Sequence, residues 1–89
     1  MLANPYAPGR MAELRMSDLK TTGQRVRITG WSGAEDLVLR LQEIGFHQHA
    51  DCEFVGQAPL SGPLLIRLGS MVVALRTVEA HCLLVEEVA

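Results

Sequence analysis

The sequence lacks several features by which protein functions are commonly recognised. No apolar run reaches about 18 residues, the length at which a segment becomes a candidate for crossing a membrane. No Ser or Cys stands in a nucleophile motif, and no glycine-rich phosphate loop precedes a helical stretch. The start of the chain has no charged segment followed by an apolar stretch of signal-peptide length. We therefore expect no enzyme and no membrane insertion, and we predict a cytoplasmic location.

Clustered positive charge is also absent. The eight Lys and Arg residues are scattered among ten Asp and Glu, and the net charge is −2. A nucleic-acid binder needs a basic stripe to neutralise phosphates, so we expect no nucleic-acid partner. In a cytoplasmic protein the two cysteines, Cys52 and Cys82, are expected to be reduced thiols.

Hydrophobic residues, in contrast, are abundant, at 48% of only 89 residues. Residues 1–14 include Pro5, Pro8 and Gly9 and show no periodicity, so we predict a flexible N-terminal tail. Residues 15–89 then form one domain, near the size at which a single core is just sufficient. Apolar residues in excess of that core indicate a partner surface.

Five short segments have the pattern of β-strands. Residues 25–29 alternate polar and apolar, with Val26 and Ile28 on the inward side. The other four segments are residues 52–58, 64–68, 71–76 and 82–88. The segment 71–76 is almost wholly apolar and is therefore predicted to be buried on both faces.

One long helix is predicted between the first two strands. Residues 32–35 (Ser-Gly-Ala-Glu) fit a capping box, and Leu37, Leu41 and Ile44 recur at helical spacing. Gly45 suits a left-handed C-terminal position. A single helical turn at 77–81 precedes the last strand. We predict a mainly β fold with one helix, a small five-stranded SH3-like barrel that is partly open.

A tight turn is predicted at residues 58–63 (Ala-Pro-Leu-Ser-Gly-Pro), between the second and third strands. Pro59 suits a strand end because it cannot donate to a sheet ladder. Gly62 is free to take a positive φ.

These pieces, in this order, resemble the FeoA family of small cytosolic ferrous iron transport proteins. The resemblance covers residues 16–88 and is carried by residues 17–19 (Ser-Asp-Leu), Gly23, Val26, Ile28, Gly30, residues 41–46 (Leu-Gln-Glu-Ile-Gly-Phe), residues 58–63 and residues 73–76 (Val-Ala-Leu-Arg). The barrel is also similar to the C-terminal domain of DtxR-type repressors, which would carry a DNA-binding domain in front.

Two turns depart from the family pattern. The family usually has Pro-Gly after the helix, where this chain has Gln48 and His49, and it favours Gly-Asp where this chain has Ser61 and Gly62. A positive φ in the first turn would strain His49 more than a glycine.

The resemblance implies an accessory protein that acts at the cytosolic GTP-binding part of the membrane iron permease FeoB. It implies no catalysis and no required cofactor. A weak or metal-bridged homodimer is compatible with the sequence.

Metal-binding residue types occur together once, as His47, His49 and Asp51, with Cys52 next in the chain. On an extended segment His47 and His49 point to the same side, and imidazole with carboxylate suits Zn or Fe. Fe(II), or adventitious Zn, is the metal expected there. The alternative is that both histidines are exposed loop residues and Cys52 begins a buried strand, because a firm zinc site usually has paired ligands at both ends.

Partner-binding candidates lie in two turns. Trp31, Leu60, Leu65 and Met71 cannot all point inward in so small a barrel. Trp31 either anchors an interface or fills the end of the barrel. The turn residues Pro59, Leu60, Gly62 and Pro63 are predicted to form a protruding contact.

Overall fold

The structure, a computed structural model, describes residues 13–88 and contains six strands and two α-helices. The strands are β1 (Leu14–Arg15), β2 (Arg25–Trp31), β3 (Asp51–Gln57), β4 (Leu64–Leu68), β5 (Met71–Leu75) and β6 (Leu83–Glu87). The helices are α1 (Glu35–Ile44) and α2 (Thr77–Ala80), and a 3-10 turn spans Met16–Asp18.

All six strands form one antiparallel sheet in the order β1-β6-β2-β3-β4-β5. The sheet is not closed, so β1 and β5 are its edges. The mainly β, SH3-like prediction is confirmed, with the long helix between the predicted first and second strands. The sixth strand, β1, pairs Leu14 with Val85. Residues 1–12 of the predicted tail lie outside the described residues.

The core is built largely from one face of the sheet, and buried residues alternate with more exposed ones along β2, β3 and β4. The predicted inward residues Val26 and Ile28 are buried, as are Cys52 and Phe54. Register shifts between Ile28 and Gly30 and between Phe54 and Gly56 are the sites where β2 and β3 depart from regular pairing. The buried core consists of Met16, Leu19, Val26, Ile28, Leu41, Phe46, Cys52, Phe54, Leu64, Ile66, Leu75, Ala80, Cys82, Leu83 and Val85.

Strand β5 contradicts its prediction of burial on both faces. The solvent-exposed fraction of the residue surface is 48% for Met71 and 49% for Val72, and Ala74 is also exposed. The physical reason is position, because β5 pairs with β4 alone within residues 13–88 and has no strand on its other side. An all-apolar strand can be central or at an edge, and its sequence does not distinguish the two.

The start of α1 also differs from the capping-box prediction. The N-cap is Ala34, which offers no side-chain hydrogen bond to the helix. The Ser32 N–H instead donates to the Cys82 carbonyl at 2.8 Å, so Ser32 belongs to the connection between strand and helix. The C-terminal prediction is confirmed, since Gly45 has φ 129° and donates its N–H to the carbonyls of Leu41 and Gln42.

The connection after α1 is a β-turn at residues 47–50. The Ala50 N–H donates to the His47 carbonyl at 3.0 Å, and the His49 N–H donates to the Ile28 carbonyl of β2 at 2.8 Å. His49 has φ 74°, so the turn does need a positive φ, which is the condition under which strain at His49 was expected. A positive φ at the third position is the geometry of a type II turn, which favours glycine there.

Replacing His49 by glycine is expected to stabilise the protein by about 0.5–1 kcal/mol, because left-handed backbone costs an L-residue about 1–2 kcal/mol and part of the gain is lost to unfolded-state entropy. In thermal unfolding the midpoint should rise by about 2–8 °C. His47→Gly is the matched control. His47 lies in the same turn without a positive φ, so it should lose about 0.5–1 kcal/mol. Equal effects of the two variants would contradict strain at His49.

Candidate functional site

The turn at residues 58–63 joins β3 to β4 and is closed by hydrogen bonds from both ends. The Ala58 N–H donates to the Pro63 carbonyl at 2.9 Å. The Gly62 N–H donates to the carbonyls of Ala58 and Pro59, at 3.1 and 3.2 Å. The side-chain amide of Gln57 donates to the Gly62 carbonyl at 2.9 Å. These bonds fix the shape of the turn independently of any partner.

The positive φ values fall at Leu60 and Ser61, at 61° and 57°, and not at Gly62 as predicted. Glycine is needed at position 62 for space instead. A Cβ there would lie 2.8 Å from the Cβ of Ala58 and 3.1 Å from the Pro59 carbonyl oxygen. Position 62 therefore has to be glycine because the turn doubles back on its own start.

Leu60 is the most exposed large apolar residue of the described chain, with a relative solvent exposure of 100%. Its left-handed backbone costs about 1–2 kcal/mol, and the exposed side chain gains nothing from burial in the free protein. The flanking Pro59, Ser61 and Pro63 are exposed as well. The turn thus presents one apolar side chain on a fixed backbone, which is suited to binding.

Trp31 is half-buried at the end of β2. Its indole Nε1–H donates to the Phe46 carbonyl at 2.9 Å, and its ring packs against the core. These contacts are those of a residue that fills the end of the barrel, one of the two alternatives for Trp31. Part of its surface stays accessible.

Trp31 and the 58–63 turn lie at opposite ends of the β2–β3 pair. The strands are antiparallel, with Arg27 opposite Asp51, the first residue of β3. Trp31 therefore extends past the start of β3, whereas the turn extends past its end. The two predicted parts of the partner surface do not meet on this strand pair.

The candidate metal ligands are not gathered around one point. His47 and His49 lie in a β-turn and not on an extended segment, and both are exposed. The Asp51 carboxylate accepts a hydrogen bond from the Arg27 Nε–H at 3.0 Å. No group of three or more His, Cys, Asp or Glu side chains within residues 13–88 is arranged to hold a metal ion.

Cys52 is unsuited to join such a site. Its side chain is buried in the core. Burial raises the pKa of the Cys52 thiol to about 12, and the negative charge of Asp51 adds to that shift. The thiol is protonated at neutral pH, whereas a metal ligand has to be a thiolate.

The two described helices are short. The longer one, α1, has ten residues, and neither helix is long and apolar enough to cross a bilayer.

Solved structures of similar shape support the fold. A FeoA-like protein from Clostridium acetobutylicum superposes with a TM-score of 0.78 at 21% identity, covering 86% of this chain and 88% of that one. FeoA of Stenotrophomonas maltophilia, solved as a zinc complex and described as a prokaryotic SH3 domain protein, has a TM-score of 0.70 at 27% identity, with 82% and 89% covered.

A metal-dependent transcriptional regulator, MtsR, has a TM-score of 0.70 at 15% identity, and the match covers 83% of this chain but 34% of the regulator. This agrees with the similarity to the SH3-like C-terminal domain of DtxR-type regulators. A comparison with curated proteins found no match.

The sequence model of the FeoA domain covers nearly all of the described structure. Proteins of this family are small accessory or regulatory proteins of ferrous iron transport and are not enzymes. The model matches residues 14–87, including the end of α1 and the 58–63 turn, and the chain therefore belongs to the FeoA family.

Proposed function

We propose that this protein assists ferrous iron uptake by binding the cytosolic GTP-binding part of a FeoB-type membrane permease. The observation that carries the proposal is the fully exposed Leu60 on a hydrogen-bonded turn. Binding to that part of the permease requires the protein to be in the cytoplasm, which we propose as its location. The S. maltophilia relative is described as a candidate activating factor of ferrous iron transport.

The energetics favour the turn as a contact. Burying a leucine side chain in a partner's pocket contributes about 1.5–3 kcal/mol. The entropic cost of ordering the turn is small, because its backbone is already fixed by the bonds of Ala58, Gly62 and Gln57. Pro59 and Pro63 restrict the backbone on both sides of the exposed side chain. A partner that accepts Leu60 gains affinity without having to order the loop.

Leu60→Ser is expected to weaken binding to the purified cytosolic region of the cognate FeoB by about tenfold or more, the equivalent of at least 1.4 kcal/mol. The matched control is Val78→Ser on α2, because Val78 is also apolar and 61% exposed but lies outside the turn. It should bind like the unmodified protein. Calorimetric titration measures both affinities. A Leu60→Ser variant that binds with unchanged affinity would remove the turn from the interface.

A second candidate function is transition-metal binding at His47, His49 and Asp51. The zinc complex of the S. maltophilia relative favours it, as does the exposure of both imidazoles. Asp51 is already bonded to Arg27, so two imidazoles remain for a metal. A zinc or ferrous ion held there completes its coordination with ligands from another molecule, which corresponds to a metal-bridged homodimer. No cofactor is required in the proposed binding role.

A further inference from the structure

The two edges of the sheet differ in how well they are protected against pairing with another chain. Strand β1 has only two residues, and its Arg15 side chain donates to the His81 carbonyl at 2.7 Å. Strand β5 has five residues and contains no charged residue and no proline. Natural edge strands are usually short, charged or interrupted, because an open edge invites another strand. Among the described residues, 13–88, nothing gives the β5 edge any of these protections.

The backbone groups that β5 leaves free can be assigned from its hairpin. β4 and β5 are joined by Gly69 and Ser70, and Gly69 has φ 62°, the geometry of a type II′ turn. Such a turn is flanked by a hydrogen-bonded pair, here Leu68 and Met71, and hydrogen-bonded pairs alternate along an antiparallel ladder. Met71, Val73 and Leu75 therefore bond to β4. The N–H and C=O groups of Val72 and Ala74 face the open edge.

We propose that this edge pairs with β5 of a second copy of the chain, antiparallel about a twofold axis through Val73. In that register Val72 of each copy lies opposite Ala74 of the other. These are the two residues whose backbone groups face outward, so they exchange both of their N–H···O=C bonds. On the inner face, Met71 lies opposite Leu75. Every facing pair of the strand is apolar.

Charge favours a second copy over a charged partner strand. The outer face of the neighbouring strands carries ion pairs, including Arg67 of β4 with Glu53 of β3 at 3.6 Å. This row of charged residues ends at β5, where the residue opposite Arg67 is the neutral Val72. A neutral strand can oppose its own copy without bringing like charges together. The nearest charged residue, Arg76, falls opposite Ser70 in the proposed register.

Symmetry favours β5 with β5 over β5 with β1. A β5–β1 contact is heterologous and would continue from copy to copy as an open chain. It would also use only the two residues of β1. The twofold contact is closed and uses the whole of β5. A contact made by one five-residue strand from each copy is small beside the roughly 1,200 Å² buried in stable complexes, so we expect a weak dimer with a Kd of about 0.1–1 mM.

The test is sedimentation equilibrium of the full chain, at concentrations from well below to well above that Kd. The weight-average mass should rise from 9.7 kDa toward twice that value. Ala74→Pro removes an N–H that faces the second copy and not β4, so it should abolish association while circular dichroism stays unchanged.

Two double variants test the register. Val72→Glu with Ala74→Glu places like charges opposite each other across the twofold, and we expect association to weaken by about tenfold or more. Val72→Glu with Ala74→Lys places opposite charges there, and association should be as strong as in the unmodified protein or stronger. Leu39→Glu, at an exposed apolar site on α1, is the control and should leave the dimer intact.

Three results would overturn the proposal. One is a monomer at every concentration. Another is equal association of the two double variants, which would mean that the copies do not meet in this register. The third is a monomeric protein whose binding to the FeoB cytosolic region is lost with Ala74→Pro, which would assign the edge to a strand of the permease.

Discussion

Leu41→Ala should lower the free energy of unfolding by about 2–5 kcal/mol, whereas Leu39→Ala, on the same helix, should change it by no more than about 0.5 kcal/mol. Leu41 is 1% exposed and belongs to the core, but Leu39 is 53% exposed. Both substitutions remove the same atoms and change the helix propensity equally. The difference between the two losses of stability therefore isolates the packing of α1 against the core.

Urea denaturation followed by circular dichroism measures both variants, with the unmodified chain as reference. If Leu41→Ala leaves the domain largely unfolded, Leu41→Met provides the measurable substitute, with an expected cost below about 1.5 kcal/mol. Equal losses from Leu39→Ala and Leu41→Ala would mean that α1 does not pack through Leu41.

Gly33→Ala is expected to destabilise the protein by about 2–4 kcal/mol, because left-handed backbone and overpacking each cost about 1–3 kcal/mol. Gly33 has φ 140°, and a Cβ there would lie 2.7 Å from the Sγ of Cys82. Cys82 is buried, and its thiol is hydrogen-bonded to the Val78 carbonyl at 3.4 Å. The sulfur can move away only by giving up that contact.

A double-mutant cycle separates the two causes. In a Cys82→Ala background the sulfur is gone, so Gly33→Ala should cost at least about 1 kcal/mol less than in the unmodified protein. The remaining cost then reports the backbone strain. If the losses of stability from Gly33→Ala and Cys82→Ala simply add, the sulfur contact contributes nothing and backbone strain alone makes glycine necessary.

The sequence predicted the local parts of this fold because they depend on local rules. Alternation placed Val26 and Ile28 in the core, and both are buried. The preference for glycine just after a helix located the end of α1 at Gly45. Comparison with the family pattern drew attention to His49, whose φ is positive. Each of these follows from backbone dihedral preferences or from the period of a strand.

The parts that failed depend on contacts between distant segments. The capping-box pattern at residues 32–35 was overridden because the backbone of Ser32 pairs with Cys82, far along the chain. Strand β5 has the composition of a central strand, but only the strand order makes it an edge. The relative placement of the partner-binding candidates also depends on contacts between distant segments. The position of Leu60 in a turn predicts its exposure from the sequence alone, and Leu60 is fully exposed. The distance of Trp31 from that turn, in contrast, follows from the register of β2 and β3, which the sequence does not show.

The central claim, that this chain is a binding partner of the permease in its own right, is tested most directly by one titration. The full chain is titrated into the cytosolic region of the cognate FeoB, once in chelator-treated buffer and once with ferrous iron under anaerobic conditions. We expect binding of equal affinity in both buffers, because Leu60 and its turn need no metal. Binding only with iron would mean that a metal held by His47 and His49, and not Leu60, makes the contact with the permease. The absence of binding in both buffers would contradict the proposed function.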